Sequence, residues 1–249
     1  MVLSYMWLNR IRVRQPENEK INLRGPLMNS PNPKQPYAGL YCLRGEGNNL
    51  TGFTLLLKRE AGNFIIYNGG TLAEIVDEVT ELGGAAGIFI NDRHNAKQTD
   101  VITELCQHFG APLYASTIEA KVPAIRLCLS LSALPFQSAT MGADFDIIPL
   151  PGHTAGNFAY LCTTPENRIL FIGDTLVHQR GEWNFWVSKP NCRTLARGLE
   201  ELAARDFDVI VSTSFGCKGG NIFSVTPNEK SALFGEVISR LERKAGGAA

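Results

Sequence analysis

Apolar residues in this chain come in short runs: Phe53–Lys58, Asn63–Tyr67, Ala86–Asn91, Pro112–Ala115, Phe145–Leu150, Asn157–Cys162, Arg168–Gly173 and Phe207–Ser212. Runs of this length, bounded by Gly, Pro and Asn, have the size and flanks of buried strands and are far too short to cross a membrane. Helical periodicity fills the intervals. Leu72, Ile75, Val76 and Val79 recur at helix spacing behind Thr71, with Glu74 three residues on as in a capping box. Val101, Ile102, Leu105, Cys106 and Phe109 form a second stripe, and Leu195, Leu199 and Leu202 a third. The last helix opens at Thr226-Pro227-Asn228-Glu229, which supplies an N-cap, a first-turn proline and a capping box, and it buries Leu233, Phe234, Val237, Ile238 and Leu241. Two hairpin-rich strand blocks, each followed by helices, predict a mixed α/β (α+β) fold of face-to-face sheets with helices outside.

A chain of 249 residues with 44% hydrophobic content and zero formal net charge can bury a proper core. The same balance provides no broad basic surface, so neither nucleic acid nor an anionic membrane is an expected partner. Residues 46–245 read as one domain, and residues 1–45 as an N-terminal arm and edge segment, because Arg14 to Tyr37 is rich in Pro, Asn, Glu and Lys. Cys42, Cys106, Cys128, Cys162, Cys192 and Cys217 are scattered without a C-x-x-C pair, which predicts reduced thiols. With no leader or membrane span evident, the expected location is the cytoplasm. The tail from Lys244 is expected to fray.

Polar residues collect where strands stop. Ile147-Ile-Pro-Leu-Pro-Gly runs into His153, Phe171-Ile-Gly ends at Asp174, and Gly87-Ile-Phe-Ile breaks into Asn91-Asp92-Arg93-His94-Asn95-Ala96-Lys97. The strand from Val209 to Val211 ends at Ser212-Thr213-Ser214-Phe215-Gly216. Strand termini on one edge of a sheet lie side by side, so these segments predict a single pocket.

In Pro-Gly-His153-Thr-x-Gly and Phe-Ile-Gly-Asp174-Thr the chain resembles the metallo-β-lactamase superfamily over roughly residues 50–245. That resemblance implies a four-layer αββα sandwich. It places Asp92, His94, Ala96 and Lys97 at the ligand positions of the family's H-x-H-x-D-H motif, where only His94 is retained. Phe215 takes the place of the last ligand histidine, and Asn68 that of a supporting aspartate ahead of a turn glycine. The family's first ion would be held by Asp92, His94, His153 and Asp174, a legitimate set for one zinc or iron(II). Of the second ion's ligands only Asp174 remains, and the Lys97 ammonium takes the region of the missing cation, where it would neutralise Asp174.

Two functional readings follow. The first is a single-metal hydrolase of an ester-like, thioester or phosphoester substrate, with Asp174, Asp92 and Lys97 as catalytic groups and a degenerate site of His94, His153, Asp174 and Asp92. Trp183 and Trp186, in the loop from Gly181, join Phe215 as an apolar wall for a small-molecule ligand. The second is a metal-free pseudoenzyme whose cleft binds a small molecule or a protein. Each residue also has a plainer reading: His153 as a turn-capping histidine, Asp174 as an Asx-type turn former, Asp92 and Lys97 as solvated surface charges, and the tryptophans as ordinary packing. A flavodiiron-like role requires a two-iron site, which these residues do not assemble. Oligomeric state stays open.

Overall fold

A computed structural model describes residues 35–44, 54–69, 72–128, 130–214 and 222–247. The expectations for Thr71, Phe215, Gly216, Cys217 and most of the arm from Arg14 to Tyr37 fall outside these residues, as does the Glu74 side chain.

The first sheet has six strands in sequential order: β1 (Leu40–Arg44), β2 (Thr54–Leu57), β3 (Phe64–Ile66), β4 (Gly87–Phe89), β5 (Leu113–Ser116) and β6 (Leu131–Leu134). β1, β2 and β3 pair antiparallel, whereas β3 to β6 are parallel. Parallel neighbours need crossovers. The helices α1 (Leu72–Glu81), α2 (Thr99–Phe109) and α3 (Pro123–Arg126) supply them. This half is therefore not a block of hairpins followed by helices, as its sequence suggested, but a strand-helix alternation.

The other half begins with β7 (Ala139–Thr140), β8 (Phe145–Pro149), β9 (Phe158–Thr163) and β10 (Arg168–Phe171). A hairpin, β11 (Leu176–Gln179) and β12 (Glu182–Phe185), and α4 (Cys192–Ala203) precede β13 (Val209–Val211), β14 (Ile222–Ser224) and α5 (Pro227–Gly246). The second six-stranded sheet has the order β14-β13-β10-β9-β8-β7.

Three apolar interfaces hold the four layers together. Leu55 and Leu57 of β2 meet Phe145, Phe158, Tyr160 and Phe171 between the sheets, while Leu56, on the opposite face, packs with Ile75, Ile102 and Leu105 under the first helices. The third joins Leu161, Leu170 and Ile210 to Leu195, Leu199, Phe234 and Leu241 of α4 and α5. Strands buried on both faces lack polar alternation, which is why they appear in sequence as continuous apolar runs.

Two local expectations need correction. Gly181 to Trp186 is not a loop: Gln179 pairs with Glu182 across a two-residue turn, and Arg180 and Gly181 both have positive φ (56° and 82°). Positive φ at both central residues is the pattern of a type I′ hairpin, normally signalled by Asn-Gly. Nor does the chain fray from Lys244. Helix α5 continues to Gly246, and Lys244 Nζ donates to the Val187 carbonyl at 2.7 Å. At the start of α5, Thr226 and Glu229 form the expected capping box. Among the described residues no helix is long and apolar enough to cross a membrane.

Candidate metal centre

The ends of β3, β4, β8, β10 and β13 open on one edge of the sandwich, and the predicted segments meet there. Ligand-type atoms of Asp92, His94, His153 and Asp174 all lie within 4.8 Å of one another.

Each arrives by a different local device. Asp92 caps a 3-10 turn, Arg93–Ala96, by accepting from the His94 backbone N–H at 2.7 Å. This short turn projects His94 sideways from the strand end. Asn91 anchors its base to β9, with the Asn91 Nδ2 donating to the Phe158 carbonyl at 2.8 Å and the Phe158 N–H donating back to the Asn91 carbonyl at 2.9 Å. Gly173 (φ 62°) then brings the turn before Asp174 against Asn91, where a Cβ would lie only 2.6 Å from the Asn91 Cβ. Only glycine combines that φ with so close an approach.

His153 is held by its Nδ1, which lies 2.7 Å from the Trp186 carbonyl oxygen. A carbonyl can only accept, so Nδ1 carries the proton and the Nε2 of a neutral ring presents its lone pair. That Nε2 faces His94 Nδ1 at 2.9 Å and Asp92 Oδ2 at 3.8 Å. Asp92 Oδ2 is buried without a hydrogen-bond partner. A buried carboxylate oxygen left unpartnered beside a directed imidazole lone pair is costly in itself and suits a cation.

The electrostatics agree with that fit. Burial, followed by the Asp92 charge, pushes Asp174 up to about 6. Burial also raises Asp92, against the opposing pulls of His153 and the His94 N–H. Desolvation, reinforced by His153, lowers His94. All three shifts disfavour ionisation, the response of a desolvated pocket, and a divalent ion would oppose those of the carboxylates. The donor set is two imidazoles and two carboxylates, suitable for one zinc or iron(II).

Other predicted residues are placed differently. Lys97 is exposed at the end of the turn, where its charge acts on His94. Asp174 takes its hydrogen bonds from Asn68 Nδ2 at 3.2 Å and from Ser214. Asn68 thus supports Asp174 directly, although its sequence position suggested only a lost aspartate. Ala96 is buried in the apolar cluster beneath the first helices, so that ligand position is turned into the core. Trp183 is likewise in the core, packed edge-on against Phe223, and presents no wall to the site. Trp186 does border it, through its carbonyl, with 43% of the residue exposed. Sequence reasoning missed Glu119 and Arg93, which sit behind the ligand loops and form an ion pair at 2.7 Å. Arg93 lies in the polar stretch after Ile90, whereas Glu119 belongs to no motif.

This is the metallo-β-lactamase fold: the αββα arrangement matches solved structures of that class over most of the described chain. One is MEM-A1, a subclass B3 metallo-β-lactamase isolated from a soil metagenome library, at a TM-score of 0.59 and 16% identity over 84% of this chain and 93% of that one. Another is a Cronobacter sakazakii metallo-β-lactamase with a HARLDQ motif, at 0.59 and 16% identity over 83% and 86%. A B3 enzyme with an active-site glutamic acid covers 92% of this chain and 97% of its own at 0.55 and 18% identity. Among curated sequences, a hydroxyacylglutathione hydrolase of Albidiferax ferrireducens is 27% identical over 114 residues, 45% of this chain and 43% of that protein. The chain thus aligns with less than half the length of that relative. No protein-family model matches the sequence.

Proposed function

We propose that this chain is a hydrolase working with a single divalent ion, zinc or iron(II), held by Asp92, His94, His153 and Asp174, and acting on an ester-like, thioester or phosphoester substrate. The observation that carries this reading is the convergence of donor atoms: the Trp186 carbonyl holds His153 by Nδ1 and leaves Nε2 2.9 Å from His94 Nδ1 and 3.8 Å from the unpartnered Asp92 Oδ2. The thioester class is favoured by the relative named hydroxyacylglutathione hydrolase. When bound, such an ion polarises a carbonyl or phosphoryl oxygen and acidifies a water. The chain supplies the rest. Asp92 and Asp174 are the adjacent carboxylates that can take up a proton, and Asn68 keeps Asp174 oriented. Lys97, exposed at the rim, faces an anionic part of a substrate, and the Trp186 indole offers an apolar surface beside it.

One observation favours a second reading. His94 Nδ1 and His153 Nε2 are already within hydrogen-bond distance, at 2.9 Å, so the two rings can satisfy one another in a metal-free pseudoenzyme that binds a small molecule or protein in the cleft. Elemental analysis separates the two. The hydrolase reading expects about one equivalent of zinc or iron in the purified protein and at least ~100-fold weaker binding in His153→Ala, with thioester cleavage lost in parallel. No uptake by the unmodified protein, even with added zinc, rejects it.

A further inference from the structure

We infer that Glu119 is a positioning residue for this metal centre, holding the His94 loop and the His153 loop in register through one buried carboxylate. The inference rests on the single-ion reading above. Glu119 lies in a turn after β5, and its side chain is only 1% exposed. Its Oε2 is 2.7 Å from Arg93 Nε, and its Oε1 accepts from Arg93 Nη2 at 3.1 Å. The same Oε1 accepts from the Gly156 backbone N–H at 2.8 Å. Arg93 stands between Asp92 and His94, and Gly156 lies in the turn that follows His153, so a single side chain grips both ligand-bearing loops.

The approach is built rather than incidental. A Cβ at Gly156 would lie 2.5 Å from Ser116 Oγ and 2.8 Å from Glu119 Oε1, so the backbone reaches the carboxylate only as glycine. Ser116 Oγ in turn accepts from the Glu119 N–H at 3.1 Å, fixing the turn from which the carboxylate extends. Metal ligands must be placed to a few tenths of an ångström, and loops achieve this only when other groups hold them. Glu119 spans these two loops without itself belonging to the proposed ligand set.

The test is a zinc titration of the full chain, with cobalt(II) absorption as a report on ligand geometry, in the unmodified protein, Glu119→Gln and Arg59→Met. The largely buried Arg59 side chain pairs with the partly exposed Asp144 at the opposite end of the sheets, and its loss controls for lowered stability alone. The expected result is a 10–100-fold weaker affinity and an altered cobalt spectrum in Glu119→Gln, with neither change in Arg59→Met. Unchanged affinity and spectrum in Glu119→Gln overturn the positioning role and leave the single-ion reading standing. Equal losses in both variants overturn it as well, because the effect would then be global. No uptake by the unmodified protein removes the single-ion reading and this inference with it. Should Glu119→Gln fail to fold, Arg93→Lys, which cannot make the two-pronged contact, is judged by the same criteria with an expected loss of about 10-fold.

Discussion

The cleft has two halves that differ in what they can hold. Around His153, donors converge: two carboxylates and two imidazoles lie within 4.8 Å, with one carboxylate oxygen unpartnered. Around Ala96 and Asn68, the position that would offer a further ligand is a methyl group in the core, and the supporting position is an amide already bonded to Asp174. The first half looks outward for a ligand. The second satisfies itself. The difference teaches that an amide can satisfy a buried carboxylate without any charge of its own: Asn68 Nδ2 donates to Asp174 and also to the Thr213 carbonyl at 2.6 Å.

The harshest attempt to break this contrast is to put a ligand back at position 96. Ala96→Asp is expected to destabilise the protein by about 3 kcal/mol or more, because the carboxylate would enter an apolar cluster, and zinc stoichiometry by elemental analysis should not rise. A second equivalent bound without loss of stability would mean that the two halves are not distinct.

A pH series sharpens the donor half. In the metal-free fold Asp174 sits near 6 against an ordinary 3.8, so its favourable contribution is complete below about 4 and is lost as the pH rises through about 6. Asn cannot ionise. Between pH 4 and 8, Asp174→Asn should therefore gain on the unmodified protein by on the order of 2–3 kcal/mol in chemical denaturation. Saturating zinc should reverse the trend. A flat difference across that range would show that Asp174 is not the strained acid of the site.

The smallest expected effect probes the self-satisfied half. Asn68→Ala removes the amide from Asp174 and should cost about 1–2 kcal/mol of stability, with weaker zinc binding because the carboxylate is no longer oriented. If calorimetric zinc affinity is unaltered, Asn68 merely fills space.

How much of this was readable in the chain depended on the range of the interactions involved. The boundaries of α5 were legible because Thr226, Pro227 and Glu229 act within one turn. The inner strands were legible because burial on both faces forces continuous apolar runs, and the grouping of His94, His153 and Asp174 was suggested by family resemblance rather than by any local physical signal. The β11–β12 hairpin was not, since its turn is Arg180-Gly181 rather than Asn-Gly and its Trp183 resembled a loop aromatic.

What the sequence determined by itself was local: the strands, the helix stripes, and which imidazoles and carboxylates were available at strand ends. Tertiary structure alone decided that Glu119 would clamp residues 93 and 156, that Asn68 would cross to Asp174, and that Ala96 would turn inward. These are contacts between segments far apart in the chain, set by how two sheets stack and where their edges meet. Side-chain periodicity carries no information about which distant strand end lies opposite, so such contacts become visible only once the layers are packed.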